Sequence, residues 1–382
     1  MRTPFDIGTI IRCHKDEFFR SHKVVPAVRK SFEHIAMCRT SRLGGHVEVC
    51  PECGDVHISY NSCRDRHCPK CQNSKREEWI HARKEEIIPA KYFHVVFTVP
   101  ACLQQIAMQN QSDFYDSLFK SAWLTLKAFA DEEGLMPGMT SILHTWGSNL
   151  FYHPHIHCIV PGGGVDWDGK WHFFKGCKRR DFLFSVIAMS EVFRGKFLSH
   201  LTSRLKENNI IIPQKVRSEC MKKKWVVYSR PPAKGVDQVL EYIGRYAYRV
   251  AISNSRIKNF ENGNVTYDYK DYRNGGKHGT NTVSALRFLN LLSQHILPDH
   301  FVKVRHYGIL SPAGRERLRK VQCQLHVKPV PKVRKKKGYL QICEEHGWKI
   351  GYCEHCNCQR TIVQVIAPAL RAPPFEIGIM GK

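Results

Sequence analysis

Two histidines near the middle of the chain are spaced so that they can share one face of a β-strand. They belong to the run His153-Pro154-His155-Ile156-His157. Alternate residues of a strand point the same way, so His155 and His157 face together while Ile156 faces the core. Two imidazoles placed in this way form half of a divalent-metal site, suited to borderline metals or to Mg²⁺ or Mn²⁺ at a phosphate. The glycine-rich stretch 161–164 follows, where backbone could approach a substrate closely.

The site needs a third protein ligand, and three residues compete for that position. If residues 147–150 form a turn, His144 lies roughly opposite His155 on the paired strand, within reach across the ladder. His153 shares the face of His155 and is an alternative, and Gln238 is another. The structural alternative is that these histidines only line a polar strand face. The sequence thus predicts a metal site of His155 and His157, with His144 as the third ligand by geometry.

A second candidate for chemistry is a pair of tyrosines, Tyr242 and Tyr246. When residues 235–250 are projected on a helix, apolar residues form one stripe. The two tyrosines are four residues apart and lie about 40° from each other at the edge of that stripe, whereas Tyr248 falls on another side. The alternative is that both are amphipathic rim residues with packed rings and hydrated hydroxyls.

These motifs together suggest phosphodiester chemistry. A tyrosine hydroxyl, with a pKa of about 10, is a poor nucleophile at neutral pH. It becomes competent if a metal polarises the scissile phosphate. Arg245 and Arg249 lie near the tyrosine face and could hold phosphates. Attack would give a 5′-phosphotyrosine bond and a free 3′-OH, so rejoining would need no ATP. A second tyrosine one helical turn away could accept a second strand.

The cysteines predict structural zinc. Of 16 cysteines, six lie between Cys38 and Cys71, and in a chain without an export signal such clusters indicate metal ligands rather than disulfides. Two Cys-x-x-Cys pairs about fifteen residues apart have the spacing of a zinc ribbon, and Gly54 permits the tight turn that follows the first pair. The predicted ligands of one zinc ion are Cys50, Cys53, Cys68 and Cys71.

Other cysteines and histidines leave room for further zinc sites. Four residues of the same segment could bind a second ion or merely pack: Cys38, His46, Cys63 and His67. A C-terminal group has one Cys-x-x-Cys pair and could form a small site of its own or a reduced tail. Its members are Cys343, His346, Cys353, Cys356 and Cys358, of which the four cysteines are the predicted ligands.

Charge and composition indicate the partner. The chain of 382 residues has 59 Lys and Arg against 34 Asp and Glu, a net charge of +25, and the commonest large polyanion in a cytosol is nucleic acid. A hydrophobic content of 42% supports a folded core rather than a disordered basic tail. No apolar run is long enough for a membrane span, and the N-terminus lacks a secretion signal. We expect DNA as partner, no membrane and no small-molecule substrate.

The elements that must position these residues fall into three predicted regions. Residues 1–88 form a zinc-binding, DNA-binding domain. Residues 89–310 form the catalytic domain. We expect a strand at 92–100, helices over 101–135, 184–207 and 235–250, and one strand on each side of the Gly-Ser-Asn turn at residues 147–149. Residues 311–382 form a basic extension, in which 315–337 carry ten Lys or Arg and read as a mobile arm. We expect Lys335, Lys336 and Lys337 to contact DNA.

The ordered motifs resemble one family. They are CPECG, SCRDRHCPKCQ, FHVVFTVP, LHTWG, HPHIHCIVPGGG and YIGRYAYRVAISNSRI. In this order they resemble the two-tyrosine HUH transposases of bacterial rolling-circle insertion sequences and their common-region relatives. The resemblance runs from about residue 38 to residue 308 and continues more weakly through RHYGILSPAGR.

This resemblance implies an α+β fold. A zinc-ribbon-like N-terminal domain would precede an HUH nuclease whose antiparallel sheet, similar to a ferredoxin or RRM palm, is flanked by helices. It implies nicking and joining of single-stranded DNA at element ends, with His155 and His157 as the metal-binding HUH pair and Tyr242 and Tyr246 as paired nucleophiles. Some relatives have only one of the two tyrosines.

The expected cofactors are structural Zn²⁺ and catalytic Mg²⁺ or Mn²⁺, and the expected location is cytoplasmic and nucleoid-associated. Two other functions compete with this one. The first is a replication initiator or relaxase-type HUH nickase, which would share the chemistry. The second is a non-catalytic zinc-ribbon nucleic-acid-binding protein, which would leave the histidine pair and the tyrosines unexplained.

Overall fold

The computed structural model describes residues 5–179, 183–230, 244, 246–271, 275–332 and 337–369. Its helices are α1 Ile7–Ser21, α2 Pro26–Met37, α3 Gln72–Lys84, α4 Gln104–Gln109, α5 Gln111–Asp131, α6 Lys175–Arg179, α7 Val186–Glu207, α8 Gln214–Lys222, α9 Ala285–Ser293, α10 Arg315–Gln324 and α11 Tyr339–Glu345. Its strands are β1 Gly45–Val49, β2 Val56–Tyr60, β3 Tyr92–Thr98, β4 Met136–Trp146, β5 Tyr152–Pro161, β6 Gly163–Val165, β7 Trp171–Phe173, β8 Val227–Arg230, β9 Ile257–Glu261, β10 Asn264–Asp271, β11 Lys277–Ser284, β12 Val304–Gly308 and β13 Thr361–Ile366.

A seven-stranded antiparallel sheet forms the centre of the molecule. Its strand order is β7-β6-β4-β5-β3-β8, and β12 pairs with β4. Neighbours β4 and β5 are joined by the short turn at residues 147–150, in which the Gly147 N–H donates to the Phe151 carbonyl (2.9 Å). This turn fixes which residues of the two strands lie opposite each other. The α+β class predicted from the sequence, with an antiparallel sheet flanked by helices, is confirmed.

The two faces of this sheet pack against different parts of the chain. One face packs on α5 and α7 through fully buried aromatic residues, including Phe97, Phe114 and Phe197, and each buried phenylalanine contributes about 1.5–3 kcal/mol. Ile156 lies in this core, as its place between the two histidines predicts. The opposite face carries the histidines and is covered in part by residues 246–248 and by α10. Strand alternation therefore places the helix-packed core on one face and the histidines on the other.

The N-terminal helices belong to a second core. Helices α1 and α2 pack with α9 and the sheet of order β11-β10-β9, around buried residues such as Phe18, Phe32 and Phe288. Three cysteines of the N-terminal segment, Cys38, Cys68 and Cys71, are buried in the same core.

The chain's two ends meet in a third sheet. It has the order β13-β1-β2, so that a strand from the C-terminal segment pairs with the N-terminal hairpin. Contacts thus run between the predicted regions 1–88 and 311–382, whose boundaries stay a prediction.

Most of the predicted elements are present, and one is corrected. The predicted helix 184–207 is α7, and the strand at 92–100 is β3. Strands β6 and β7 form a hairpin whose turn contains Gly169 at φ 81°. Residues 235–243 and 245 lie outside the described residues; Gly244, Tyr246 and Ala247 are helical. No described helix is both long and apolar enough to cross a membrane.

The correction concerns the basic segment 315–337, which was expected to be a mobile arm. Residues 315–324 form the packed helix α10, because Leu318 and Val321, three residues apart, give it a buried apolar face. Gln322 anchors it by donating to the carbonyls of Glu85 and Ile87, at 2.8 and 3.2 Å.

Candidate metal and nucleophile site

Strands β4 and β5 bring three imidazoles together. His144 lies directly opposite His155 in the ladder, and His157 lies two residues further along β5 on the same face. The candidate ligand atoms of the three residues lie within 4.8 Å of one another, and the Nε2 atoms of His155 and His157 are 3.0 Å apart. His144 therefore lies in the cross-strand position that the sequence predicts. His153 is not part of the group, and Gln238 lies outside the described residues.

Backbone hydrogen bonds orient two of these rings. The Nδ1 atom of His155 lies 2.7 Å from the His153 carbonyl, and the Nε2 atom of His144 lies 2.8 Å from the Tyr246 carbonyl. A carbonyl only accepts, so these nitrogens carry the protons and leave the lone pairs on Nε2 of His155 and Nδ1 of His144. Fixed neutral tautomers of this kind are what a metal site requires, and the donor set fits a divalent cation.

A fourth imidazole, His94 of β3, supports the third ring. Its Nε2 atom lies 2.8 Å from Nδ1 of His157, and the two rings stack at 5.1 Å with an interplanar angle of 9°. Sequence reasoning missed this residue. Its signal was a lone histidine in the apolar strand FHVVF, but only the pairing of β3 with β5, 63 residues away, shows which face it shares.

Burial lowers the pKa of all four imidazoles. Loss of hydration is the largest cause in each case, and it brings the pKa of His94 and of His155 down to about 4. The pKa values of His144 and His157 are also lowered, by burial first and then by neighbouring imidazoles. At neutral pH the rings are therefore uncharged, which is the form that binds a metal cation.

Tyr246 lies against this cluster. Its half-buried ring is 4.4 Å from the ring of His157 and 5.6 Å from that of His144, centroid to centroid. Arg249 is exposed, and its positive charge is among the causes that lower the pKa of His144, His155 and His157. Tyr242 and Arg245 lie outside the described residues. One of the two predicted nucleophiles is thus placed beside the predicted metal ligands.

Helix α3 supports the tyrosine segment from the other side. A Cβ atom added to Gly244 would lie 2.4 Å from the side chain of Ile80, so only glycine permits this approach. Four residues on, the ring of Tyr248 contacts that of Trp79 edge to face at 6.4 Å. The glycine between the two tyrosines therefore has a packing role that periodicity did not reveal.

The cysteines form two clusters, but not with the predicted membership. The first joins Cys38 and Cys63 to the second Cys-x-x-Cys pair, Cys68 and Cys71. The other pair, Cys50 and Cys53, lies instead with Cys353 and Cys356. The reason is the β1–β2 hairpin, whose five-residue strands put about 17 Å between its tip and its open end. Both pairs therefore cannot share one ion.

Several predicted zinc ligands have other partners. Nε2 of His46 lies 2.7 Å from Glu48 Oε1, and Nε2 of half-buried His67 accepts from the Leu297 N–H at 3.3 Å. Cys343 is buried outside both clusters, and His346 stacks on Trp348 at 4.7 Å. Cys358 follows the C-terminal pair without joining its group. Spacing alone could not separate ligands from these neighbours.

Cys71, a member of the first cluster, is also the N-cap of α3. The cluster therefore fixes the start of the helix that packs on Gly244. A structural zinc ion there would help hold the tyrosine segment as well as the N-terminal fold.

Of the predicted DNA-contacting lysines, Lys337 pairs with Glu345 at 2.5 Å. Lys335 and Lys336 lie outside the described residues. Their contact with DNA stays a prediction.

Comparison with known proteins identifies the family. A family model described as "Putative transposase" matches residues 138–366, and one described as "Transposase zinc-binding domain" matches residues 10–99. The "Putative transposase y4qJ" of Sinorhizobium fredii (strain NBRC 101917 / NGR234) is 37% identical over 393 residues, covering 97% of each chain. The "Transposase for insertion sequence element IS801" of Pseudomonas savastanoi pv. phaseolicola is 30% identical over 283 residues, covering 72% of this chain and 68% of the relative. No solved structure gives a significant match. The resemblance found in the sequence is confirmed: the chain belongs to the IS91-type transposase family, with that family's zinc-binding domain.

Proposed function

We propose that this transposase nicks and rejoins single-stranded DNA at insertion-sequence ends through a covalent 5′-phosphotyrosine intermediate. The observation that carries the proposal is the contact of Tyr246 with His144 and His157, two members of a group of three imidazoles whose candidate ligand atoms lie within 4.8 Å of one another. A non-catalytic DNA-binding protein would leave the grouping of these imidazoles beside a tyrosine unexplained.

The residues divide the chemistry between them. His144, His155 and His157 would hold a divalent cation, which would withdraw negative charge from the scissile phosphate. The Tyr246 hydroxyl oxygen attacks phosphorus, so that a tyrosine–phosphorus bond forms as the bond to the 3′ oxygen breaks. The 3′ oxygen leaves and takes up a proton in exchange for the one that the tyrosine gives up. Arg249, exposed beside the cluster, is positioned to pair with a non-bridging phosphate oxygen.

Rejoining reverses these steps. The free 3′-OH of a strand attacks the phosphotyrosine, and the tyrosine leaves as its hydroxyl. The energy of the original bond is retained, so no nucleotide cofactor is required. Tyr242, one helical turn away in sequence, would hold a second strand in the same way.

The zinc-binding domain has a structural part in this proposal. Cys38, Cys63, Cys68 and Cys71 offer four thiolates to one ion and leave no open position, which is the pattern of a structural rather than a catalytic zinc. The ion would stabilise the start of α3 and so the packing of Ile80 on Gly244.

The first prediction tests the function directly. Purified full-length protein, incubated with Mn²⁺ and single-stranded oligonucleotides carrying the element end, is expected to yield a protein–DNA species that survives denaturing electrophoresis. The same sequence supplied as a fully base-paired duplex should yield much less of this product, and EDTA should abolish it. Cleavage that leaves no DNA on the protein would contradict the proposed intermediate.

The second prediction concerns His94. Changing His94 to alanine leaves Nδ1 of His157 without its partner, so we expect Mn²⁺ affinity to fall about 10–100-fold. Free Mn²⁺ measured by electron paramagnetic resonance during a titration gives the affinity without reference to activity. His94→Gln is expected to restore most of it, since its Oε1 atom can take the place of the imidazole Nε2.

A matched control separates orientation from general damage. His172→Ala alters an exposed histidine on β7 that bonds Asp166, and it should leave Mn²⁺ affinity unchanged. Unchanged affinity in His94→Ala, or equal loss in the alanine and glutamine variants of a folded protein, would count against the positioning role.

A further inference from the structure

Two Cys-x-x-Cys pairs from opposite ends of the chain meet in the structure. The Sγ atoms of Cys50 and Cys356 are 3.2 Å apart, those of Cys53 and Cys353 are 3.6 Å apart, and those of Cys53 and Cys356 are 3.7 Å apart. A disulfide would require about 2.05 Å. A tetrahedral zinc ion with bonds of about 2.3 Å holds its sulfurs about 3.8 Å apart. The observed distances are near the second value.

The two pairs have the same backbone turn. In the first, the Gly54 N–H donates to the Cys50 carbonyl at 3.0 Å, and the Cys50 N–H donates to the Asp55 carbonyl at 2.9 Å. In the second, the Asn357 N–H donates to the Cys353 carbonyl at 3.0 Å, and the Cys353 N–H donates to the Cys358 carbonyl at 2.8 Å.

The residue that follows each Cys-x-x-Cys pair has the same backbone conformation. Gly54 has φ 74° and Asn357 has φ 58°, the left-handed conformation that glycine and asparagine adopt most readily. Two equal turns that aim four thiols at one point are the usual construction of a zinc ribbon.

The surroundings join the two turns. Arg360 lies 2.6 Å from Asp55 across the junction. Strand β13, which follows the second pair, adds to β1 in an antiparallel ladder and completes the three-stranded sheet.

We propose that Cys50, Cys53, Cys353 and Cys356 hold a structural zinc ion of their own, in a zinc ribbon assembled from the two ends of the chain. The protein then binds two zinc ions, one in this split ribbon and one at Cys38, Cys63, Cys68 and Cys71. The split ribbon closes a loop of about 300 residues and ties the C-terminal segment to the N-terminal hairpin. The proposal does not depend on the catalytic one, because zinc content is measured without DNA.

Zinc counting tests the stoichiometry. Inductively coupled plasma mass spectrometry of the full-length protein is expected to give two zinc ions per chain, and the double variant Cys353→Ser, Cys356→Ser is expected to give one. Cys358→Ser, altered two residues away but outside the cluster, should still give two. One ion in the unaltered protein, or two in the double variant, would overturn the proposal.

A labelling experiment on the unaltered protein guards against misfolding of the variant. Cys53 is exposed, so a thiol reagent should modify it at once unless a metal protects it. We expect native protein to react at exposed Cys13 and Cys323 but not at Cys53 or Cys356, as read by peptide mass spectrometry. A strong zinc chelator should make both cysteines reactive. Reaction of Cys53 before chelation, at the rate of Cys323, would refute the site.

Discussion

Changing both Tyr242 and Tyr246 to phenylalanine is expected to abolish the covalent protein–DNA product. The change removes the attacking oxygen atoms and keeps both aromatic rings, so the fold and the metal site should persist. Loss of a nucleophile reduces turnover by on the order of 10⁴-fold or more. Among the single variants, Tyr246→Phe should remove the adduct that forms beside the imidazoles, because its ring is 4.4 Å from that of His157.

Peptide mass spectrometry of the trapped adduct identifies the tyrosine used. We expect the nucleotide on Tyr246 in a single-cleavage assay. Tyr248→Phe is the matched control, since its ring contacts Trp79 on α3, and it should form adduct at a rate near that of the unaltered protein. An adduct that persists in the double variant would remove both tyrosines from the mechanism.

Replacing His155 and His157 with alanine is expected to eliminate Mn²⁺ binding at the site and to slow strand cleavage by about 10³-fold or more. The loss follows because a bound cation contributes several kcal/mol of charge stabilisation at a phosphoryl group, and each 1.36 kcal/mol is tenfold in rate. Mn²⁺ titration and single-turnover cleavage measure the two effects separately.

Two single variants then test the third ligand. His144→Ala should weaken Mn²⁺ binding strongly, whereas His153→Ala should keep it, because His155 bonds the backbone carbonyl of residue 153, which the change retains. The reverse result would show that His153, and not His144, completes the site. Full cleavage activity in the double variant that lacks His155 and His157 would contradict the metal site itself.

What the sequence could predict was local. The His155–His157 pair follows from strand alternation, and the position of His144 follows from one short turn that fixes the register of β4 on β5. Tyr246 could be matched to its proposed role only through the order of the motifs, since a tyrosine on an amphipathic helix is usually a packing residue. For the three histidines the relevant partner lies on the same or the adjacent strand.

What the sequence could not predict depends on contacts between distant segments. His94 supports His157 only because β3 pairs with β5, and nothing near residue 94 encodes that pairing. The predicted grouping of the cysteines is wrong for the same reason, because the residues that lie beside Cys50 and Cys53 come about 300 residues later in the chain. The nearer pair, Cys68 and Cys71, has the spacing expected of a zinc ribbon and therefore led to the wrong grouping. The high charge of residues 315–324 suggested a mobile segment, whereas Leu318 and Val321, three residues apart, give α10 a buried apolar face.

The split ribbon has a consequence for biosynthesis. A ribosome that has just translated Cys53 must add about 300 further residues before Cys353 exists, which takes about 15–60 s at 5–20 residues per second. Throughout that interval the nascent hairpin holds only two of the four cysteines of the proposed zinc site. The proposed ribbon can therefore close only on a chain translated past residue 356, and in a shorter polypeptide Cys50 and Cys53 lack their partners and β1 lacks the strand β13.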